Sequence, residues 1–150
     1  MAQLHAEAQQ HIARPVDELY AIITDYAGRR RQIMPPAFHD YTAEAGGNRA
    51  PTVVRWVLHV GRHRRPYEMQ VSETPAEYRV VERDRNSSFT TEWHVTNVDD
   101  ASRVSIASSW QQRSRGFPAL FERIFAPRSL ARLHAETLRR LAAEAAAPTA

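Results

Sequence analysis

The sequence predicts an α+β fold, in which a curved antiparallel sheet of seven strands wraps around one long C-terminal helix. One or two short helices lie between the first two strands. Two observations carry this prediction. The segment from Phe38 to Gln112 is divided into short alternating stretches, whereas Gly116 to about Ala146 has the apolar stripe of a single helix. A helix with one apolar face must bury that face against another element, and an antiparallel sheet must bury its apolar face as well. The helix and the strands are therefore expected to pack together.

The N-terminal segment predicts a strand followed by short helices. Residues 3 to 12 alternate between apolar and polar side chains, the period of a half-buried strand. Pro15 then begins a helix at a position where its missing N–H costs nothing. Residues 29 to 34 are expected to form a short second helix, which Pro35 and Pro36 end because proline disfavours helix in the residue before it.

The middle of the chain predicts six further strands. Turn signals recur at hairpin spacing. They are Gly46-Gly47-Asn48, Gly61-Arg62, Thr74-Pro75, Arg85-Asn86 and Asp99-Asp100. Since the connections between these stretches contain no helix, the strands must pair antiparallel.

The C-terminal segment predicts the closing helix. Its stripe contains Phe117, Leu120, Phe121, Ile124, Leu130, Leu133, Leu138 and Leu141. Pro127 lies inside this pattern, so a kink or a break is expected there. We expect one domain over residues 1–150, with an ordered core over about 4–142 and a fraying alanine-rich tail over 143–150.

Composition limits the possible functions. The chain has 150 residues, no cysteine, no run of about 18 apolar residues and no secretory signal, which predicts a soluble, cytoplasmic protein without disulfides. All 20 basic residues are arginine, yet the net charge is only +3. The clusters Arg29–Arg31 and Arg62–Arg65 lie in or beside predicted turns, where we expect them to be solvated; the alternative is contact with phosphate or an anionic lipid. No integral membrane segment, nucleic-acid partner or cofactor is expected.

The width of the predicted sheet indicates a cavity. Seven strands span roughly 30 Å, whereas one helix with its side chains covers about 10 to 12 Å. Strong twist can curl the sheet around the helix and enclose a groove. The residues expected to bind a ligand there are Trp56, Tyr67, Met69, Thr91, Trp93, Ser108, Trp110, Phe117 and Phe121.

Several stretches carry a family resemblance. They are "IARPVDELYAIITDY", "GG" followed by "TVVRWVL", "TTEWHV" and "FERIFAPRSLARLHAETLRRL". The chain resembles the START/Bet v 1-like (SRPBCC) superfamily of helix-grip proteins over about residues 4 to 142, and within it the bacterial polyketide cyclase/dehydrase-like group. The resemblance implies binding of a hydrophobic small molecule, such as a lipid, polyketide or quinone, with catalysis in only some relatives.

The best candidates for catalysis are His39 and Tyr41. Strand alternation places both on the more apolar face of their strand, so both rings are expected to point inward, where they can polarise a ligand carbonyl. The alternative is that the two rings pack at the rim against Pro35 and Pro36. No metal site is expected, because His59 and His63 are separated by a strand and its turn.

Two polar residues, Thr91 and Ser108, occupy inward positions on other strands, and Glu82 joins them if the alternation of its strand continues to the strand end. Thr91 and Ser108 are expected either to hold a ligand carbonyl or a water, or to bond to each other across the ladder. Glu82 is a candidate acid or base if it is buried, and a solvated or arginine-paired carboxylate otherwise.

Three functions remain open from the sequence. The first is binding of a small hydrophobic ligand between the sheet and the closing helix. The second is a polyketide cyclase/dehydratase-like enzyme that uses His39 and Tyr41. The third is an interaction module, or a homodimer, whose cavity is filled by side chains.

Overall fold

The computed structural model describes residues 3–45, 51–60, 62–111 and 117–147, with the side chains of residues 60, 63 and 117–126 excepted. The elements are β1 (Gln3–Ile12), α1 (Val16–Ile23), α2 (Arg29–Ile33), β2 (Phe38–Glu44), β3 (Val53–Val60), β4 (His63–Thr74), a 3-10 turn (Pro75–Glu77), β5 (Arg79–Asp84), β6 (Thr90–Val98), β7 (Ala101–Gln111) and α3 (Phe117–Ala146).

The strands form one antiparallel sheet of seven in the order β1-β7-β6-β5-β4-β3-β2. The α+β prediction is confirmed, including the helix-grip arrangement of a curved sheet around a long C-terminal helix. Both short helices lie between β1 and β2. Asp99 and Asp100 join β6 to β7 with φ angles of 45° and 65°, the left-handed conformation of a tight hairpin turn.

Alternation predicts the buried face of most strands correctly. In β6, Thr91, Trp93 and Val95 are buried while Glu92 and His94 are more exposed. The buried members of β3 and β4, and those of β7 from Ser102 to Ser108, follow the same period. Together with α1, α2 and α3, these residues form one core. The inner face of the sheet is therefore the face that the helices cover.

Strand β2 departs from simple alternation at Asp40. Its pairing with β3 shifts register between His39 and Thr42, and Asp40 has a φ of 55°. This bulge places Phe38 and Tyr41 against the core although they are three residues apart. His39 instead lies on the outer face, so the expectation that its ring points inward is wrong.

Helix α3 is continuous through Pro127, which therefore does not end it. Of the kink or break that was predicted, the break does not occur. The helix extends to Ala146, and Ala145 is 4% exposed, so it persists beyond residue 142, where fraying was expected. Leu138 and Leu141 are fully buried and fix this half of the helix against the sheet.

Candidate functional site

A small cavity lies between the inner face of the sheet and α3. Its volume open to the centre of a water molecule is about 20 Å³, enough for roughly one water. Among the described side chains, its lining consists of Arg30, Met34, Phe38, Trp56, Leu58, Tyr67, Glu82, Phe89, Thr91, Trp93, Ile106, Leu130, His134 and Thr137. Aromatic and aliphatic side chains provide most of this wall, while a few polar groups interrupt it.

Five rings in series form an aromatic arc along one end of the cavity. Centroid distances are 5.7 Å from Phe38 to Trp56, 6.0 Å from Trp56 to Tyr67, 4.9 Å from Tyr67 to Phe89 and 5.8 Å from Phe89 to Trp110. The arc reaches from β2 to β7. Such rings offer flat apolar faces for a planar ligand.

A buried ion pair forms one polar part of the cavity wall. Arg30 Nη2 lies 3.1 and 3.2 Å from the two carboxylate oxygens of Glu82, and each side chain is 1% exposed. Trp93 donates its indole N–H to the same carboxylate at 3.1 Å, and Arg30 Nη1 donates to the Ile23 carbonyl at 3.2 Å. Burial lowers the pKa of Arg30, but Glu82 opposes burial and the net pKa is raised. Arg30 is therefore charged.

Two aromatic rings pack against Arg30. Its guanidinium lies 4.3 Å from the ring centroid of Trp93 and 6.0 Å from that of Tyr26. Tyr26 donates to Glu73 at 2.6 Å, and Tyr41 donates to the Tyr26 carbonyl at 2.9 Å. Burial raises the pKa of Tyr41 to about 12, so its hydroxyl is neutral. Tyr41 therefore bonds to the backbone of Tyr26, whose ring packs against Arg30.

A hydrogen-bonded chain forms the second polar part of the site. The Thr91 and Ser108 hydroxyls are 2.7 Å apart, and Ser108 Oγ is 2.8 Å from His134 Nε2. Burial, and then the charge of Arg30, lower the pKa of His134 to about 4. The imidazole is therefore neutral at physiological pH. The bond between Thr91 and Ser108 across the ladder, one of the two alternatives from the sequence, is present.

The sheet register brings these groups into one row. Glu82 pairs with Thr91 on the next strand, and Thr91 pairs with Ser108 on the one after. We call Glu82, Thr91 and Ser108 the polar row. Arg30 from α2 and His134 from α3 hydrogen-bond to its two ends. Three strands and two helices thus build one polar site on an otherwise apolar surface.

The predicted ligand-binding residues fall into three groups. Trp56, Tyr67, Thr91 and Trp93 line the cavity. Met69 and Ser108 are buried beside it, and Trp110 is half-buried at one end of the aromatic arc. The side chains of Phe117 and Phe121 lie outside the described residues, as does the predicted Gly46-Gly47-Asn48 turn.

The predicted catalytic pair does not come together in the cavity. His39 is exposed and stacks on His59, with ring centroids 3.8 Å apart. Tyr41 is half-buried on the opposite face and bonds to backbone. A shared acid–base role for the two residues is therefore not supported by their geometry.

Sequence reasoning missed Arg30 and His134. Arg30 belongs to an arginine cluster that was expected to solvate a loop, yet it is 1% exposed. The available signal was its spacing of three from the buried Ile33 on α2. His134 lies four residues from both Leu130 and Leu138, and this spacing places it on the buried stripe of α3.

Among the described residues, no group of three or more His, Asp or Glu side chains is arranged to hold a metal ion. No described helix has the length and hydrophobicity needed to cross a membrane.

Comparison with known proteins identifies the family. A sequence model described as polyketide cyclase/dehydrase and lipid transport matches residues 3–146. No curated protein matches the sequence. The NMR structure of the KanY protein is similar at a TM-score of 0.84 and 28% identity, over 98% of this chain and 100% of that one.

More distant structures share the fold. The Zhui aromatase/cyclase from Streptomyces sp. R1128 has a TM-score of 0.80 at 16% identity, over 96% of this chain and 94% of that one. The major latex-like protein 151 from Panax ginseng has a TM-score of 0.66 at 11% identity, covering 97% and 99%. Since the family model spans nearly the whole sequence, the chain belongs to the polyketide cyclase/dehydrase and lipid transport family.

Proposed function

We propose that this protein binds a small, ring-bearing hydrophobic molecule in the cavity between the sheet and α3. The observation that carries the proposal is a cavity with a mainly apolar wall, an aromatic arc at one end and a buried polar row within it. Apolar walls provide affinity, while a few buried polar groups fix orientation. Family membership supports this function.

Binding requires side chains of the cavity to move. A volume of about 20 Å³ accommodates a water but not an aromatic ring. Met34, Phe38 and Leu58 line the cavity and are only half-buried. Methionine and leucine side chains can change rotamer at low cost, so we infer that a ligand displaces this part of the wall.

The proposal is tested with a neutral fluorescent probe, N-phenyl-1-naphthylamine, and by native mass spectrometry of the purified protein. Thr137 lines the cavity on α3, so Thr137→Leu should fill part of it and weaken probe binding at least several-fold. Ala143 is exposed on the same helix, and Ala143→Leu is the matched control. A protein that carries no co-purified mass and fails to bind the probe would refute the proposal.

A second candidate is cyclase/dehydratase-like catalysis, which the Thr91–Ser108–His134 chain favours. A general base works best with a pKa near the working pH. Because the pKa of His134 is about 4, it is a weak base at pH 7 and stays neutral in its hydrogen bond with Ser108. Ligand binding is therefore the preferred function. If the protein turns over a poly-β-ketone thioester, and His134→Gln loses this turnover but still binds the ligand, catalysis becomes the preferred function.

We also infer a bacterial, cytoplasmic protein, and a homodimer stays a prediction of the sequence. Cell fractionation tests the location, and analytical ultracentrifugation over a range of concentrations tests the dimer. A monomer at all concentrations would exclude the dimer without affecting the ligand-binding proposal.

A further inference from the structure

We propose that the Arg30–Glu82 pair makes the cavity select ligands that present a neutral oxygen acceptor, such as the carbonyl of a ketone, aldehyde, quinone or ester, and reject carboxylates. This inference rests on the proposed ligand binding and specifies the ligand's chemistry. Two properties of the pair carry it. One is a hydrogen-bond donor of Arg30 that has no acceptor in the described part of the chain, and the other is a charge that is already balanced.

The donor is Nε of Arg30. Both other guanidinium nitrogens have acceptors, Nη1 at the Ile23 carbonyl and Nη2 at the Glu82 carboxylate. Nε is buried and has no hydrogen-bond partner among the described residues. An unsatisfied buried donor is costly, and a ligand oxygen that reaches it removes that cost. Since Arg30 lines the cavity, a bound ligand lies next to this side chain.

The charge balance determines which oxygen is acceptable. Glu82 is 1% exposed and neutralises Arg30 at hydrogen-bond distance. His134 is neutral at physiological pH, so it supplies no second positive charge. A second carboxyl group, that of Asp84, lies two residues after Glu82 on the same face of β5, and Asp84 is 6% exposed. A ligand carboxylate would therefore enter a buried site without an unpaired cation, which is strongly unfavourable.

Three probes of similar size separate the possibilities. Ethylbenzene has no acceptor, acetophenone adds a neutral carbonyl, and benzoate carries a charged carboxylate at neutral pH. Binding is followed by NMR titration of the tryptophan indole N–H signals, because the Trp93 indole bonds to Glu82 and lines the cavity. We expect wild type to bind acetophenone about tenfold more tightly than ethylbenzene and to show no saturable benzoate binding.

Two variants assign the selectivity to the pair. Arg30→Met/Glu82→Met removes both charges together and should abolish the preference for acetophenone over ethylbenzene. Glu82→Gln keeps an acceptor for Arg30 and Trp93 but removes the negative charge. It should therefore bind benzoate and show a higher Tm in its presence. Arg31→Met is the matched control, because Arg31 is the exposed neighbour and does not line the cavity.

The outcomes separate this inference from the proposed function. Equal affinity for acetophenone and ethylbenzene, a preference that survives in the double variant, or no gain of benzoate binding in Glu82→Gln would each refute the selectivity. Ethylbenzene binding would still support the hydrophobic site. If wild type binds none of these probes and also fails to bind N-phenyl-1-naphthylamine, the proposed function itself falls.

Discussion

Replacing His134 with glutamine should reduce the decrease in the free energy of unfolding that the protein shows as the pH falls. The substitution keeps a polar group near Ser108 but removes the proton-binding imidazole, which is 6% exposed. The pKa of His134 is lowered in the folded protein from 6.5 to about 4 by burial and by Arg30. Between these two values the unfolded chain binds a proton that the folded chain does not.

The magnitude follows from that difference. The free energy of unfolding falls as the pH drops from about 6.5 to about 4, and the contribution of His134 to this loss is about 3 kcal/mol. The sign is that of a group buried in its neutral form. Its stabilising contribution is fully present above the unfolded-state pKa and is lost as the pH falls through the window.

The assay is urea unfolding of wild type and His134→Gln at a series of pH values from 7 to 4, followed by tryptophan fluorescence. At pH 7 the variant should be the less stable, because a buried hydrogen bond is perturbed. As the pH falls to 4, the free energy of unfolding of the variant should rise by about 3 kcal/mol relative to that of wild type. His11→Gln, at an exposed position, is the matched control. Parallel stability curves for wild type and His134→Gln would refute the assigned burial of a neutral imidazole.

Three further predictions concern stability in urea unfolding at pH 7. Arg30→Met should cost about 3–5 kcal/mol because it leaves a buried carboxylate unpaired, whereas Arg30→Met/Glu82→Met should lie within about 1 kcal/mol of wild type or be more stable; a single variant as stable as the double would contradict a buried pair. Ser108→Ala should cost about 1–3 kcal/mol because it interrupts the hydrogen-bonded chain, and a neutral effect would argue against that chain. Asp99→Asn/Asp100→Gly should stabilise the β6–β7 turn by up to about 1 kcal/mol, since both residues have positive φ, and a loss of stability would exclude the assigned turn.

The sequence predicts the fold well because strands and helices have different hydrophobic periods. The alternation of Tyr67, Met69 and Val71 in β4 identifies a buried face, and the structure buries all three. Turn signals such as Asp99-Asp100 mark hairpins through local backbone preferences. These are short-range effects, so one sequence is enough to detect them.

The orientation of His39 could not be predicted in the same way. Alternation assumes an unbroken strand, and the bulge at Asp40 shifts the phase between His39 and Tyr41. Aspartate tolerates the left-handed conformation better than most residues, but it also occurs often in regular loops and turns. A single aspartate within an alternating segment is therefore too weak a signal for a bulge.

The burial of Arg30 depends on a partner 52 positions away. A run of arginines on a short helix predicts solvent exposure, since a lone buried guanidinium is prohibitively costly. Only the approach of Glu82, two hydrogen bonds and the faces of Trp93 and Tyr26 make burial of this charge possible. Tyr26 is four residues away, but Glu82 and Trp93 are distant in sequence, so the site does not follow from the sequence around Arg30 alone.

For the polar row, the sequence predicts which face of the sheet each side chain occupies but not which side chains are neighbours on that face. Alternation predicts that Glu82, Thr91 and Ser108 each face inward, but it does not predict that they are neighbours. Adjacency depends on the register of β5 with β6 and of β6 with β7. A slip of two residues on one strand would keep every side chain on the inner face and still separate the row. The short hairpin at Asp99-Asp100 therefore fixes the register of β6 with β7 and, through it, the adjacency of Thr91 and Ser108.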